Sequence, residues 1–180
     1  MREIEADFGR KIHIYDDLFS LSFRSAAYQF AENSTFRIGW PDGCINEKMQ
    51  HRFLHSQYSY EDVINLGILN EFKNTPIEEE IYGHTLVKTY LNLSTPSDVN
   101  FQHSHPENKV VLFYVNLEWQ DGWHGETLFY KDNLREILLA TPYTPGRVTV
   151  FDGRIPHAIR PQSYLAPFYR YTLAMIYNKD

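Results

Sequence analysis

Along the first 83 residues apolar positions recur at helical spacing, and beyond residue 83 they alternate between turn residues. In "DDLFSLSFRSAAYQFAEN" (16–33), Leu18, Leu21, Ala26, Phe30 and Ala31 fall near one helical face behind an acidic start at Asp16 and Asp17. "SYEDVINLGILNEF" (59–72) opens with Ser59 three residues before Asp62, a capping-box pattern, and carries Val63, Leu66 and Leu69 at helical spacing. "TPIEEEI" (75–81) puts Thr75 at an N-cap and Pro76 at the first helical position, so the acids Glu78–Glu80 read as a solvated helix start and not a metal site.

After Gly83 the pattern predicts eight strands, over 84–94, 99–105, 109–118, 125–130, 136–140, 147–152, 157–161 and 169–178, separated by Gly, Pro, Asn and Asp. Strands this short and close together, with no helix between them, suit a two-sheet architecture with helices packed outside it. The expected fold is mainly β with N-terminal helices: a double-stranded β-helix (jelly roll) of about eight strands. Residues 1–180 would form one domain, with 1–83 a helical support region and 84–180 the jelly-roll core.

Composition narrows the setting. The 180 residues include 13 Tyr and 12 Phe, which favours sheet, and the formal net charge of −6 makes nucleic acid an unlikely partner. No apolar run approaches the roughly 20 residues of a membrane span. The charged start "MREIEADFGRK" lacks an apolar signal core, so a cytoplasmic location is expected. The single cysteine, Cys44, excludes an internal disulfide framework and a Cys-rich zinc site, and no base partner for it is evident.

Three histidines can carry chemistry. On the expected strand 99–105, Phe101, His103 and His105 share one face, and His157 follows the Asp152-Gly153 turn in a distant strand. Two imidazoles from adjacent inward positions of one strand, joined by a third, match the three-ligand face that a non-haem iron site needs. Arg170 begins the hydrophobic strand "RYTLAMIY" and shares a face with Thr172; a guanidinium beside a hydroxyl matches a carboxylate in geometry and charge. "HRFLH" places His51 and His55 four residues apart, which reads as an exposed helix face without an accompanying acid. Trp40, Trp119 and Trp123 read as packing residues.

"YVNLEW" (114–119), "WHGETLFY" (123–130), "TPGRVTVFDGRIPHAIRPQS" (144–163) and "RYTLAMIY" (170–177) together resemble the iron(II)- and 2-oxoglutarate-dependent dioxygenases of the prolyl-4-hydroxylase-like branch. The resemblance covers residues 84–178. It implies that His157 is the distal iron ligand, that Arg170 pairs with the far carboxylate of 2-oxoglutarate with Thr172 assisting, and that Tyr114 points into the cosubstrate pocket. His124 stands where the family has a glycine, either placing another imidazole near the mouth or covering a turn. The family's H-x-D/E motif fits two registers. In one, His103 and His105 bind iron with His157, histidine replacing the carboxylate; in the other the set is His105, Glu107 and His157. The first is the working expectation.

The implied activity is hydroxylation of a peptidyl or small-molecule C–H bond, using Fe(II), 2-oxoglutarate and O2 and releasing succinate and CO2. His103, His157 and Arg170 would be its central residues. Two alternatives stand beside it: a non-catalytic jelly-roll module that binds a sugar or peptide, and a three-histidine dioxygenase of cupin type that does not use 2-oxoglutarate. A buried Arg170 speaks against the second, whose chemistry has no use for a carboxylate clamp.

Overall fold

The computed structural model describes residues 1–40, 51–96, 98, 101–105 and 108–180. In chain order these form β1 (Arg2–Glu5), β2 (Lys11–Tyr15), α1 (Leu21–Glu32), β3 (Arg37–Trp40), β4 (His51–Tyr58), α2 (Tyr60–Leu66), α3 (Ile68–Phe72), α4 (Pro76–Ile81), β5 (His84–Ser94), β6 (Asn108–Tyr114), β7 (Thr127–Tyr130), β8 (Ile137–Thr141), β9 (Val148–Asp152), β10 (His157–Ile159) and β11 (Arg170–Lys179). A major sheet runs β1-β2-β9-β6-β11-β5-β4-β3 and a minor sheet β10-β7-β8, all pairings antiparallel. Among the described residues no helix is long and apolar enough to cross a membrane.

The jelly roll is larger than the alternation after residue 83 suggests. Residues 1–83 are not only a helical support: they supply β1 to β4, half of the major sheet. Strand β2 alternates inward Ile12 and Ile14 with His13, too short a stretch for period two to stand out. "HRFLH" lies in β4, so the helical reading of His51 and His55 is overturned. The expected strand 99–105 is likewise corrected over its described residues 101–105, which contribute one bridge, His103 to His157. Cys44, Pro106 and Glu107 lie outside the described residues, as does the side chain of Trp40.

The helices follow their caps. Helix α1 starts at Leu21, where Ser20 Oγ accepts the Phe23 N–H at 3.2 Å, and buries Ala27 and Ala31. The acids expected to start it lie outside; Asp16 instead accepts two hydrogen bonds from Arg147, at 2.6 and 3.0 Å. The Ser59–Asp62 capping box forms as its pattern predicts, but Gly67, at φ 78°, divides 59–72 into α2 and α3. Thr75 caps α4. Glu80 is not solvated: it holds Lys109 Nζ at 3.0 Å, the Tyr15 hydroxyl at 3.4 Å, and His13.

Two cores result, one on each face of the major sheet. Phe19, Ala31, Phe72 and Ile77 pack under the helices against Leu91, Phe113, Leu173 and Met175. Between the sheets lie Ile12, Val110, Leu112, Phe129, Phe151, Ala174 and Ile176. Strand alternation therefore decides which side chains line the space between the sheets.

Candidate metal centre and anion clamp

The Asp152-Gly153 turn ends β9 and returns the chain so that His157 opens β10 at the edge of the minor sheet. Residues 101–105 run alongside. The His103 N–H donates to the His157 carbonyl at 3.0 Å, the His157 N–H returns to the His103 carbonyl at 2.9 Å, and the His105 N–H donates to the Gly153 carbonyl at 2.6 Å. This stitching presents three imidazoles to one point. One ring nitrogen from each of His103, His105 and His157 lies within 4.8 Å of the others, and the ring centroids are 4.3 to 5.3 Å apart.

The hydrogen-bonding of the rings suits metal ligation. His157 Nδ1 donates to the Ile155 carbonyl at 2.9 Å and His103 Nδ1 to the Phe101 carbonyl at 3.2 Å, each two residues upstream. Occupying Nδ1 in this way leaves Nε2 as the lone-pair donor. Burial, reinforced by His103 and His105, pushes the pKa of His157 well down and keeps it neutral. A neutral imidazole with a fixed tautomer is what a transition metal takes as a ligand. The donor set therefore fits a transition-metal ion.

Beside the histidines the cavity is narrow and mostly apolar, walled by Val110, Leu112, Ala174 and Ile176 with Thr127, Arg170 and Thr172 at its polar end. Arg170 is fully buried. Its Nε donates to the Gly125 carbonyl at 2.8 Å, Nη1 to Thr172 Oγ1 at 2.6 Å and Nη2 to Thr127 Oγ1 at 3.5 Å. The guanidinium carbon stands 4.7 Å from the Tyr143 ring centroid and 5.6 Å from that of Tyr114. Desolvation lowers its pKa, with Tyr143, Tyr114 and Glu126 opposing, yet a guanidinium stays charged in a protein. It forms no ion pair with a carboxylate among the described residues. A buried cation held by neutral groups and facing a cavity is poised to receive an anion.

Tyr114 differs from expectation. It lies behind the cavity wall, its hydroxyl donating to Thr127 Oγ1 at 2.7 Å and its ring stacked on Tyr143 at 4.8 Å. It orients Thr127 and supports Arg170 and does not line the space itself. His124 covers a turn: it has φ 58°, its carbonyl accepts the Trp119 Nε1–H at 2.8 Å, and it is not among the residues of the cavity wall. Trp119 and Trp123 pack edge to face at 5.6 Å.

Four contributors escaped the sequence reading. Tyr90 and Asn92 line the cavity from β5, where period two would have found them: Asn92 sits opposite Thr172, and its buried Oδ1 has no hydrogen-bond partner among the described residues. Thr127 lay inside a quoted motif without a role. Tyr143, in a Pro-rich turn, carried no signal. The asparagine of "YVNLEW" gains a physical reason: Asn116 Oδ1 accepts the Tyr171 N–H at 2.9 Å and its Nδ2 donates to the Tyr169 carbonyl at 2.8 Å, fixing the start of β11 beside the end of β6.

Neither a scan of protein-family models nor a search of curated proteins finds a match. Among solved structures the fold is that of the 2-oxoglutarate/Fe(II) oxygenases, the prolyl hydroxylases among them. A 2OG-Fe(II) oxygenase family oxidoreductase from Burkholderia pseudomallei matches 94% of this chain and 85% of its own, at TM-score 0.69 and 12% identity. A Trichoplax adhaerens prolyl hydroxylase in complex with a hypoxia-inducible-factor peptide matches 93% and 83%, at TM-score 0.65 and 14% identity. HygX from Streptomyces hygroscopicus, with nickel and 2-oxoglutarate bound, matches 93% and 82%, at TM-score 0.68 and 10% identity. At these identities the likeness establishes a common jelly-roll fold.

Proposed function

We propose that the protein is an iron(II)- and 2-oxoglutarate-dependent oxygenase that hydroxylates a C–H bond of a peptide or small molecule. The observation that carries this is the pairing, in one cavity, of three convergent imidazoles with a buried arginine that forms no ion pair among the described residues. His103, His105 and His157 would hold the metal. Arg170, with Thr172, would receive the far carboxylate of 2-oxoglutarate, and Gly125, Thr127, Tyr114 and Tyr143 hold the guanidinium in place for it. When bound, Fe(II) with 2-oxoglutarate supplies the oxidising power for C–H hydroxylation, O2 being consumed as 2-oxoglutarate becomes succinate and CO2. The apolar walls Val110, Leu112, Ala174 and Ile176 exclude water and orient what enters. A solved structural neighbour bound to a peptide supports, by analogy of fold, a peptide substrate; another bound to 2-oxoglutarate supports the cosubstrate.

The buried cation disfavours a cupin-type dioxygenase without 2-oxoglutarate, and the convergent imidazoles disfavour a binding module without metal. Anaerobic titration of Fe(II) and then 2-oxoglutarate tests the reading. One metal per chain, metal-dependent 2-oxoglutarate binding and succinate release in air are expected. Metal binding without 2-oxoglutarate binding would overturn it.

A further inference from the structure

Consecutive carbonyls in the turn between β9 and β10 hold two of the three histidines. The Gly153 carbonyl accepts the His105 N–H at 2.6 Å, and the Ile155 carbonyl accepts His157 Nδ1–H at 2.9 Å. The carbonyl between them, that of Arg154, is taken by Arg10 Nη1 at 3.1 Å. A peptide unit is planar, so holding this carbonyl restrains the units on either side, which share its two α-carbons.

Arg10 stands just before β2, far from the turn in sequence, and its side chain is only 10% exposed. All three of its nitrogens are engaged. Nε donates to the Asp7 carbonyl at 2.8 Å, Nη1 to Arg154, and Nη2 pairs with Asp132 Oδ1. Phe8, at φ 60°, places its ring centroid 5.4 Å from the guanidinium carbon. Asp132 is fixed in turn, its N–H donating to Asp7 Oδ2 at 2.9 Å. The same β7–β8 loop reaches the remaining histidine: the Leu134 carbonyl accepts Gln102 Nε2 at 3.3 Å, one residue before His103. One guanidinium therefore joins the β1–β2 loop, the β7–β8 loop and the β9–β10 turn. A lone surface ion pair contributes little, but a planar fork with three fixed acceptors defines positions.

We propose that Arg10 is a positioning residue for the metal centre: by fixing the Arg154 carbonyl it sets the placement of His105 and His157 relative to each other. The inference rests on the reading of the histidines as metal ligands. It depends on the fork and not on charge alone. Anaerobic titration of the full chain with Co(II), followed by visible absorption, tests it, because the absorption reports coordination geometry as well as occupancy. Arg10→Lys keeps the charge toward Asp132 and loses the fork. It weakens Co(II) binding roughly tenfold, the lower end of the range for groups that orient metal ligands, and alters the spectrum. Arg147→Lys is the control. The Arg147 side chain is similarly shielded, 11% exposed, but bonds Asp16 and the Pro142 carbonyl, away from the β9–β10 turn. Its replacement leaves affinity and spectrum unchanged. A merely structural role would lower the thermal stability of both variants and the metal affinity of neither. Unchanged Co(II) affinity and spectrum in Arg10→Lys, or an equal change in Arg147→Lys, would overturn the proposal and leave the functional reading in place. A wild-type chain that takes up no Co(II) would overturn both.

Discussion

Replacing Arg170 with Met separates the role of its charge in holding the fold from its role in holding a ligand. Arg170 has zero exposure and no ion pair among the described residues; it donates well to the Gly125 carbonyl and Thr172, and weakly to Thr127. Burying a cation costs several kcal/mol. Two good hydrogen bonds from a charged donor return about 1.5–3 kcal/mol each, so roughly 3–6 kcal/mol, and the two effects nearly cancel. The ligand-free variant is therefore expected to change in stability by less than the roughly 3–5 kcal/mol lost when a buried ion pair is broken. Ligand binding behaves differently. At a hundred times its Kd, 2-oxoglutarate stabilises the wild type by about 2.7 kcal/mol. At roughly 2–4 °C per kcal/mol for a chain of this size, that raises Tm by about 5–11 °C. Arg170→Met shows no such shift. The assay is thermal unfolding under anaerobic conditions with Mn(II) in place of iron, with and without 2-oxoglutarate. An equal cosubstrate shift in the variant would refute the clamp, and a ligand-free loss beyond about 5 kcal/mol would show that a protein anion pairs with Arg170.

Three further outcomes are expected. His103→Ala removes metal from the purified protein while Glu107→Gln retains it, by elemental analysis; the reverse order assigns the metal to His105, Glu107 and His157. His124→Gly stabilises the fold by about 1–3 kcal/mol in chemical denaturation, because a histidine at φ 58° and ψ −145° holds a conformation that glycine adopts without strain, and no gain would show the backbone is unstrained there. The hydrogen bonds from Arg147 hold the Asp16 carboxyl below its ordinary pKa, so its contribution is present at neutral pH and lost as pH falls through the folded value; Asp16→Asn should flatten that acid limb of stability against pH, and an unaltered limb would refute the linkage.

What the sequence revealed depended on how many residues a pattern spans. Strand β11 is ten residues long with both faces buried, and Arg170 and Thr172 could be assigned one face from alternation alone. The caps Ser59 and Thr75 were legible because each is one residue with a fixed offset to its partner. Strands β1 and β3 have only four residues each, too few for period two to outweigh chance, and β4 carried two histidines at a spacing that mimics a helix. The histidine pair was legible for a reason other than the one invoked. His103 and His105 converge with His157 because backbone hydrogen bonds tie them to His157 and Gly153, not because a continuous strand alternates there. Tyr143 illustrates what composition cannot reveal: it stacks under a guanidinium through a contact 27 residues from Arg170 in sequence, set by tertiary packing.

Strand β11 ties both faces of the major sheet to one register. Arg170, Thr172, Ala174 and Ile176 face the cavity beside the histidines, while Tyr171, Leu173, Met175 and Tyr177 face the helices. β11 lies between β5 and β6 and is paired with each along most of its length, so its position is fixed from both sides. A slip of one residue would exchange the two faces, placing Tyr171 where the cation stands and Arg170 against the apolar helices. The cost of burying a guanidinium beside Tyr28 and Phe36, the ring neighbours of Tyr171, without its carbonyl and hydroxyl partners, opposes that slip strongly. The Arg170 charge thus selects the register in which it meets Gly125, Thr127 and Thr172, and that register turns Tyr177 to the opposite, helix-side face. The one departure, a register shift between Ile176 and Tyr177 against β5, falls after the last β11 residue of the cavity beside the histidines. The cavity beside the histidines is therefore built on the regular part of the strand, and the irregularity is confined to the end beyond it.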